Sequence, residues 1–224
     1  MAEYSDNSTF SQIKAIVDKA CDIAKREGRL MVLGISGVDS SGKSTLAMEV
    51  ERYLANAQMT AQVFSIDDFM TLRSVRNANT DQARGYYDEA YDFRLLATQV
   101  LKPARSSNEL RGTLTQTDWI KDQHYERDIA MHAPGIVIVE GVFIFRREIR
   151  DLFDFRIWIH LTPEEALQLA VRRPRDLDYY GSAEVIERRY RHRFFLGQKL
   201  HFEMDDPKSH ADALVRPSKL DADI

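Results

Sequence analysis

The fold of this chain is decided by the stretch Gly37-Val38-Asp39-Ser40-Ser41-Gly42-Lys43-Ser44. It matches the pattern G-x-x-x-x-G-K-[ST], a loop whose backbone N–H groups surround phosphate oxygens. The loop follows an apolar run at residues 30–35 and precedes a helical pattern that starts near Lys43. That strand–loop–helix context is the one the motif requires. We therefore predict that residues 37–45, through Thr45, bind the phosphates of a nucleotide.

The residue types within the loop explain how it would hold phosphate. Gly37 and Gly42 permit backbone angles that a side chain would hinder, so that amide groups can face the phosphate oxygens. Lys43 would neutralise charge on the β- and γ-phosphates, and the Ser44 hydroxyl can bind Mg²⁺. ATP and Mg²⁺ are the ligands that this pattern favours.

Alternating strand and helix patterns surround the loop and predict an α/β fold. Strands that feed helices in this way form parallel sheets that are covered on both faces. The predicted helices cover 10–26 and a segment from Thr162 to Pro174, besides the helix after the loop. The further predicted strands cover 61–66, 136–139 and 155–161.

Length and composition indicate one domain with added segments. A chain of 224 residues fits a single core, so residues 1–224 are interpreted as one domain. Two polar segments with many aromatic residues, 71–91 and 110–131, fit the alternating pattern poorly. We interpret the region 71–131 as insertions over one end of the sheet, and 216–224 as a flexible tail.

The charge and the cysteine content indicate which partners and which cellular compartment to expect. The formal net charge is −4, because 31 Lys and Arg are outweighed by 35 Asp and Glu, so nucleic-acid binding is not expected. The single cysteine, Cys21, excludes an intrachain disulfide framework and favours a reducing compartment. The polar start carries no signal-peptide pattern, and no stretch is long and apolar enough for a membrane span. A cytoplasmic protein is the resulting expectation.

Two predicted strands end in carboxylates. Asp67 and Asp68 follow the strand at 61–66, and Glu140 follows the strand at 136–139. Because the carboxyl ends of parallel strands meet at one edge, Asp67 and Glu140 should lie beside the loop. Asp67 can orient a hydroxyl and accept its proton, and Glu140 can contact Mg²⁺. Asp68 is expected to face solvent.

The absence of two motifs argues against a GTPase and against a motor ATPase. No asparagine is followed by lysine, so the N-K-x-D motif that reads guanine is absent. The strand that ends at Glu140 continues into Gly141 rather than a second acid, unlike the metal strand of motor ATPases. These observations favour a kinase.

Five motifs together resemble the uridine–cytidine kinase branch of the phosphoribulokinase/uridine kinase family. The resemblance runs from about Leu30 to Val215. It implies a P-loop kinase fold with a five-stranded parallel sheet, a substrate-binding insertion and an arginine-rich lid. The motifs are G-I-S-G-V-D-S-S-G-K-S-T, S-I-D-D-F, Y-Y-D-E-A-Y-D-F, V-I-V-E-G-V-F-I-F and R-D-L-D-Y-Y-G.

The resemblance also implies roles for single residues. Asp67 matches the catalytic base, Asp88 the acid that binds the ribose hydroxyls, and Glu140 the acid on the metal side. Asp212 falls in the segment beside the adenine. The remaining residues implied in acceptor binding are Phe69, Tyr87, Asp118 and Trp119.

The segment 172–182 resembles the family's mobile lid. Arg173 and Arg175 flank a proline and are expected to stabilise the charge of the transferring phosphoryl group while the closed lid excludes water. Two features depart from the family. Tyr180 stands where the family has an arginine. The family's base-reading hairpin carries Tyr-Asp with a histidine nearby, whereas this chain has Thr117 before Asp118, and His124 stands several residues further on.

The function predicted from the sequence is ATP-dependent phosphorylation of the 5′-hydroxyl of a ribonucleoside, uridine or cytidine in the first place. Two alternatives stay open. One is a kinase of the same family for pantothenate, a ribosylated nicotinamide or a sugar phosphate, although the acids around Asp88 favour a neutral acceptor. The other is a nucleotide-binding regulatory protein without transfer activity. The oligomeric state is open too, with a homo-oligomer among the options.

Overall fold

The computed structural model describes residues 8–217, which are built around a five-stranded sheet. The strand order is β2-β5-β1-β6-β7, and every neighbouring pair is parallel. The predicted parallel sheet is therefore confirmed. Its strands are β1 (Leu30–Gly37), β2 (Thr60–Ser65), β5 (Gly135–Gly141), β6 (Phe155–Ile159) and β7 (Ala213–Val215).

One face of the sheet is covered by two long helices, α1 (Lys14–Glu27) and α2 (Lys43–Asn56). Their apolar faces, with Val17 and Val50 among others, pack with the side chains of Leu33 and Ile138 into one core. All eight residues of β1 are buried, because this central strand has helices or loops on both faces. Helix α1 begins at residue 14 rather than at the predicted residue 10.

The opposite face is covered by short helical segments and a hairpin. A second core joins Val32 and Val137 of the sheet to Leu101 and Phe143 outside it. The short helices are α3 (Arg73–Arg76), α4 (Gln82–Arg84), α5 (Phe93–Leu96) and α6 (Lys102–Ser106), with π-helical turns at Gly85–Glu89 and Ala97–Leu101.

The segment predicted as an insertion at 110–131 forms an antiparallel hairpin of β3 (Glu109–Asp118) and β4 (Gln123–His132). It is attached to the second core by Leu114 and Met131, while its outward residues are exposed. The other insertion, 71–91, holds α3, α4 and the first π-helical turn. Both lie on the side of the sheet opposite α1 and α2.

Between β6 and β7 the chain is helical. It contains α7 (Pro163–Ala170), α8 (Pro174–Tyr180), α9 (Ala183–Arg189), a π-helical turn at Tyr190–Phe194 and α10 (Phe195–Asp205). Helix α7 starts with a capping box in which the Thr162 hydroxyl accepts from the Glu165 amide and the Glu165 carboxylate accepts from the Thr162 amide. Within residues 8–217 no helix is long and apolar enough to cross a membrane.

The first residue of the predicted flexible tail, Arg216, contacts the rest of the protein. The Arg216 backbone pairs with the Gln12 side chain at 2.9 and 3.2 Å, and its guanidinium contacts Glu165. These bonds fix the chain just after β7. The rest of that predicted tail, from residue 218 onward, lies outside the described residues.

Gly34 in the centre of β1 gives a test of the packing on the second face. A Cβ atom at this position would lie 2.7 Å from ring carbons of both Phe145 and Phe153. Gly34→Ala should lower the free energy of unfolding by about 1–3 kcal/mol, because a packed core resists added volume. Urea unfolding measures the change. Met48→Ala at an exposed site is the control and should change the free energy of unfolding by less than about 0.5 kcal/mol. A Gly34→Ala protein with an unchanged free energy of unfolding would contradict this packing.

Candidate active site

The phosphate loop connects β1 to α2 and has the backbone that its glycines permit. Gly42 adopts φ +86°, in the left-handed region. Gly37 lies so close to β6 that a Cβ atom would be 2.6 Å from the Ile159 carbonyl oxygen and 2.7 Å from Ser41 Oγ. The buried Lys43 side chain turns back over the loop, and its Nζ donates to the Val38 carbonyl at 2.7 Å.

The loop has the features of a site for an anion. The Ser41 hydroxyl is buried and has no hydrogen-bond partner among residues 8–217. The amino terminus of α2, a helix of 14 residues, opens at the same place and carries the positive end of the helix dipole. An unpaired buried donor, the positive helix end and Lys43 all suit phosphate oxygens.

Glu140 stands next to the loop, as the parallel strand order predicts. In the sheet register it lies between Ile35 of β1 and Ser65 of β2. It is only 5% exposed, and its Oε1 accepts a hydrogen bond of 3.0 Å from Ser44 Oγ. A hydroxyl and a carboxylate placed together offer the oxygen ligands that Mg²⁺ prefers, so this pair fits the metal.

Asp67 follows β2 by two residues, in a 3-10 turn at Ile66–Phe69. The Ser65 hydroxyl caps that turn by accepting from the Asp67 amide at 3.3 Å. Burial in the cleft raises the pKa of Asp67 to about 6, and the negative charge of Glu140 adds to the rise. The positive charges of Arg175 and Lys43 act in the opposite direction. Asp67 is thus an electrostatic neighbour of both the metal-side acid and the lid.

A cavity of about 910 Å³ opens from the loop towards the insertion and the lid. Asp67 lies in its wall, together with Asp39 and Ser40 of the loop. Trp119 from the tip of the hairpin and Tyr179 from α8 form an aromatic part of the wall, with ring centroids 4.8 Å apart. A cavity of this volume has room for a small organic molecule beside the phosphate loop.

The predicted lid contains α8 and contributes two arginines to the cavity wall. Arg173 precedes α8, and Arg175 lies in its first turn. Both are near Asp176, at 3.9 and 3.6 Å. At the other end of α8 the Tyr180 ring lies under the Arg189 guanidinium, 4.8 Å from its centroid. Arg189 therefore contacts the residue that stands at the position of the family's arginine.

Hydrogen bonds that the sequence did not predict join the loop to the rest of the cavity. The Asp39 carboxylate accepts from the Tyr86 hydroxyl at 2.7 Å and from Gln198 Nε2 at 2.6 Å. The Ser40 hydroxyl and the Tyr190 hydroxyl are 2.8 Å apart. The two consecutive tyrosines at 86–87 indicated a residue of the cavity, but only the structure shows that Tyr86, and not Tyr87, contacts the loop.

Two residues predicted to bind the acceptor belong to the core instead of the cavity wall. Phe69 is 1% exposed and packs in the second core. Tyr87 is also 1% exposed, and its hydroxyl donates to the buried Asp205 carboxylate at 2.5 Å. Its neighbour Tyr86 lines the cavity in its place, because the chain turns through a π-helical segment here.

Asp88 does not face the cavity that contains Asp67. It lines a second cavity of about 560 Å³, with Glu89, Asp92 and Glu148, and it lies 3.7 Å from Arg84 and 3.9 Å from Arg146. Asp88 and Asp67 therefore line different cavities, and the two cavities share Tyr91 in their walls.

Two further predicted residues are used elsewhere in the structure. The Asp118 carboxylate accepts from the Ile120 and Lys121 amides in the hairpin turn, which lowers its pKa. The Asp212 carboxylate accepts from the Arg156 amide at 2.7 Å, one residue before β7. At that position it is level with Gly34 in the sheet register and short of the loop.

Comparisons with known proteins agree with this architecture. The sequence profile of the Phosphoribulokinase / Uridine kinase family matches residues 32–194. A uridine kinase from Chlamydia pneumoniae is 24% identical over 192 residues, which cover 83% of this chain and 81% of that protein.

Solved structures give the same result for the fold. One described as a possible uridine kinase from Bacillus stearothermophilus has 25% identity and a TM-score of 0.67 over 90% of this chain and 98% of that chain. A D-glycerate 3-kinase from Cryptococcus neoformans has 12% identity and a TM-score of 0.64, with 89% of each chain covered. The P-loop kinase fold predicted from the sequence is confirmed.

The raised pKa of Asp67 gives a test of the site without any ligand. Its pKa is about 6 in the folded protein and near 3.9 when unfolded, so folding favours the protonated form. That contribution is present below about pH 4 and is lost as the pH rises through 6. Asp67→Asn removes the ionisable group and should be more stable than the natural protein by about 1–2 kcal/mol at pH 8, with no gain below pH 4. Urea unfolding between pH 3.5 and 8 measures it; a gain that is independent of pH would argue against a buried, charged Asp67.

Proposed function

Because this chain belongs to the phosphoribulokinase/uridine kinase family, we propose that it transfers the γ-phosphoryl group of ATP to a hydroxyl of a small acceptor. The observation that carries the proposal is the meeting of two acids at the phosphate loop. Glu140 is hydrogen-bonded to Ser44, and Asp67 lies in the cavity wall among the charges of Glu140, Lys43 and Arg175. Phosphoryl transfer needs a base, a phosphate cradle and neutralising cations together.

Asp67 is the group that would act on the acceptor. Its carboxylate accepts a hydrogen bond from the hydroxyl and takes the proton as the hydroxyl oxygen attacks the γ-phosphorus. The new P–O bond forms while the bond to the β–γ bridging oxygen breaks, and ADP leaves. Lys43 and the loop amides hold the phosphates, and Arg173 and Arg175 stabilise charge on the transferring group.

Ser44 and Glu140 are the residues that would hold Mg²⁺. The ion supplies charge neutralisation for the phosphates when it is bound. The chain itself fixes the two oxygen ligands. Helix α2 positions the Ser44 hydroxyl and strand β5 positions the Glu140 carboxylate, with 3.0 Å between Oγ and Oε1.

A ribonucleoside such as uridine or cytidine, phosphorylated on its 5′-hydroxyl, is the acceptor that the relatives suggest. Uridine kinases are among them, and the Trp119–Tyr179 wall offers a surface for stacking a base. The acid expected to read the ribose, Asp88, lies at the second cavity, so the wall supports only the base part of this assignment.

Asp67→Asn tests the transfer step. The variant should keep its affinity for ATP and lose kcat by several orders of magnitude, because an amide cannot accept the proton. ATP binding is measured by calorimetry, and transfer is measured with radiolabelled ATP and a panel of acceptors. The neighbouring Asp68→Asn is the control, since Asp68 is not in the cavity wall and accepts from Gln116 Nε2. Near-normal turnover by Asp67→Asn removes Asp67 from this role; a natural protein that binds ATP and transfers to nothing favours the regulatory alternative.

Glu140→Gln tests the metal side. The Mg²⁺ concentration for half-maximal activity should rise about 10- to 100-fold, because the amide keeps the shape and loses the charge. A magnesium titration at fixed total ATP measures it. Glu148→Gln provides a matched control, because Glu148 lines the second cavity and not the one that contains Asp67. An unchanged magnesium requirement in Glu140→Gln would mean that the metal is held elsewhere.

A further inference from the structure

The main cavity is far more positive than the protein around it. Its wall contains seven arginines and three aspartates, whereas the whole chain has a net charge of −4. The acids are Asp39, Asp67 and Asp176. The arginines are Arg73, Arg76, Arg173, Arg175, Arg188, Arg189 and Arg193.

The arginines divide by the groups that they face. Arg173 and Arg175 are electrostatic neighbours of Lys43 and Asp67, so they belong to the transfer end of the cavity. Three others come from α3 and from the π-helical turn at 190–194, on the side of the hairpin tip. We call these three the arginine cluster: Arg73, Arg76 and Arg193.

Protein contacts hold the arginine cluster in place. Arg76 is 7% exposed, and its guanidinium donates to the Thr71 and Trp119 carbonyls. Arg193 donates to Asn77 Oδ1 and to the Arg76 carbonyl, each at 3.2 Å. Guanidinium groups that are fixed before binding lose little freedom when they bind a planar anion.

The three positive charges of the arginine cluster are paired with a single carboxylate among the described residues. Asp122 is the one carboxylate in ion-pair contact with it, 3.4 Å from Arg76. Burial lowers the pKa of Arg76, and the like charges of Arg73 and Arg193 lower it further, while Asp122 opposes them. The Arg193 Nε is buried and has no acceptor among residues 8–217. Three cations held together in this way favour the binding of an anion.

We propose that the acceptor carries an anionic group, a carboxylate or a phosphate, that binds the arginine cluster while the acceptor's hydroxyl lies at Asp67. The inference rests on the proposed phosphoryl transfer and adds the substrate class. It reverses the expectation of a neutral acceptor, because the acids that supported it, around Asp88, line the other cavity.

Matched acceptors that differ in charge test the proposal. With saturating MgATP, D-glycerate is compared with glyceramide, pantothenate with pantothenamide, and fructose 6-phosphate with fructose; uridine is included as the neutral nucleoside. For each pair that is turned over, kcat/KM of the anion should exceed that of the neutral partner by about 100-fold, since a buried cation left unpaired is costly. Equal values within the pairs, or uridine as the best acceptor, would overturn it.

Arg193→Gln locates the anion site. The KM for the anionic acceptor should rise by about 10- to 100-fold, while the KM for ATP changes less than about threefold. Arg191→Gln is the matched control, because Arg191 lies in the same turn, outside the cavity wall, and pairs with Glu187 at 2.8 Å. Arg73→Gln, at an exposed position, is a second variant in case Arg193→Gln does not fold. An unchanged acceptor KM in both cluster variants would contradict the site.

Binding measurements separate this inference from the proposed function. The same pairs are titrated by calorimetry in the presence of a non-hydrolysable ATP analogue. If no acceptor is phosphorylated but the anions bind more tightly than their neutral partners and Arg193→Gln abolishes the difference, the anion site stands and the kinase proposal fails. If the pairs bind equally, the anion site fails, whatever the turnover.

Discussion

The candidate site depends on the register of three parallel strands. The buried strand β1 lies between β5 and β6, and β5 pairs on its other side with β2, so that Ile35, Glu140 and Ser65 stand level. Because the strands run in the same direction, the loop after β1, the acid after β2 and the acid near the end of β5 lie at one edge. The hydrogen bond from Ser44 to Glu140 links the phosphate loop to β5 at this edge. A shift of one residue in β5 would turn Glu140 to the other face of the sheet.

The parts of the site that were predictable from the sequence are those that follow from strand order. Lys43, Ser44, Asp67 and Glu140 are tied to strand ends, so their meeting needed no knowledge of loops. Four of the five strands of the sheet and the helices α1 and α2 were also predictable, because their apolar periodicity is strong; the three-residue strand β7 and helix α10 were not predicted from periodicity. The pairing within the hairpin was not, since its many exposed polar residues carry no such signal.

The side of the cavity that contains the arginine cluster was much less predictable. The cluster of arginines combines α3 with a turn more than a hundred residues later in the chain, and only tertiary packing brings them together. Family resemblance assigned Tyr87 and Asp88 to this side, but the π-helical turn at Gly85–Glu89 directs Tyr86 to the loop and Asp88 to the second cavity. In a π-helical turn the side-chain directions differ from those of an α-helix, and sequence patterns do not reveal such turns.

The hydrogen bonds at Asp39 and Ser40 have a consequence for the order of events at the site. Tyr86 and Gln198 hold one loop residue and Tyr190 holds the next, and both tyrosines also line the main cavity. Occupancy of the cavity that displaces one of these segments changes the loop, and a nucleotide that reshapes the loop changes the cavity. Thermodynamic reciprocity requires that each substrate then alters the affinity for the other by the same factor. Any such coupling between the loop and the cavity would pass through three side chains that take no part in the proposed transfer step.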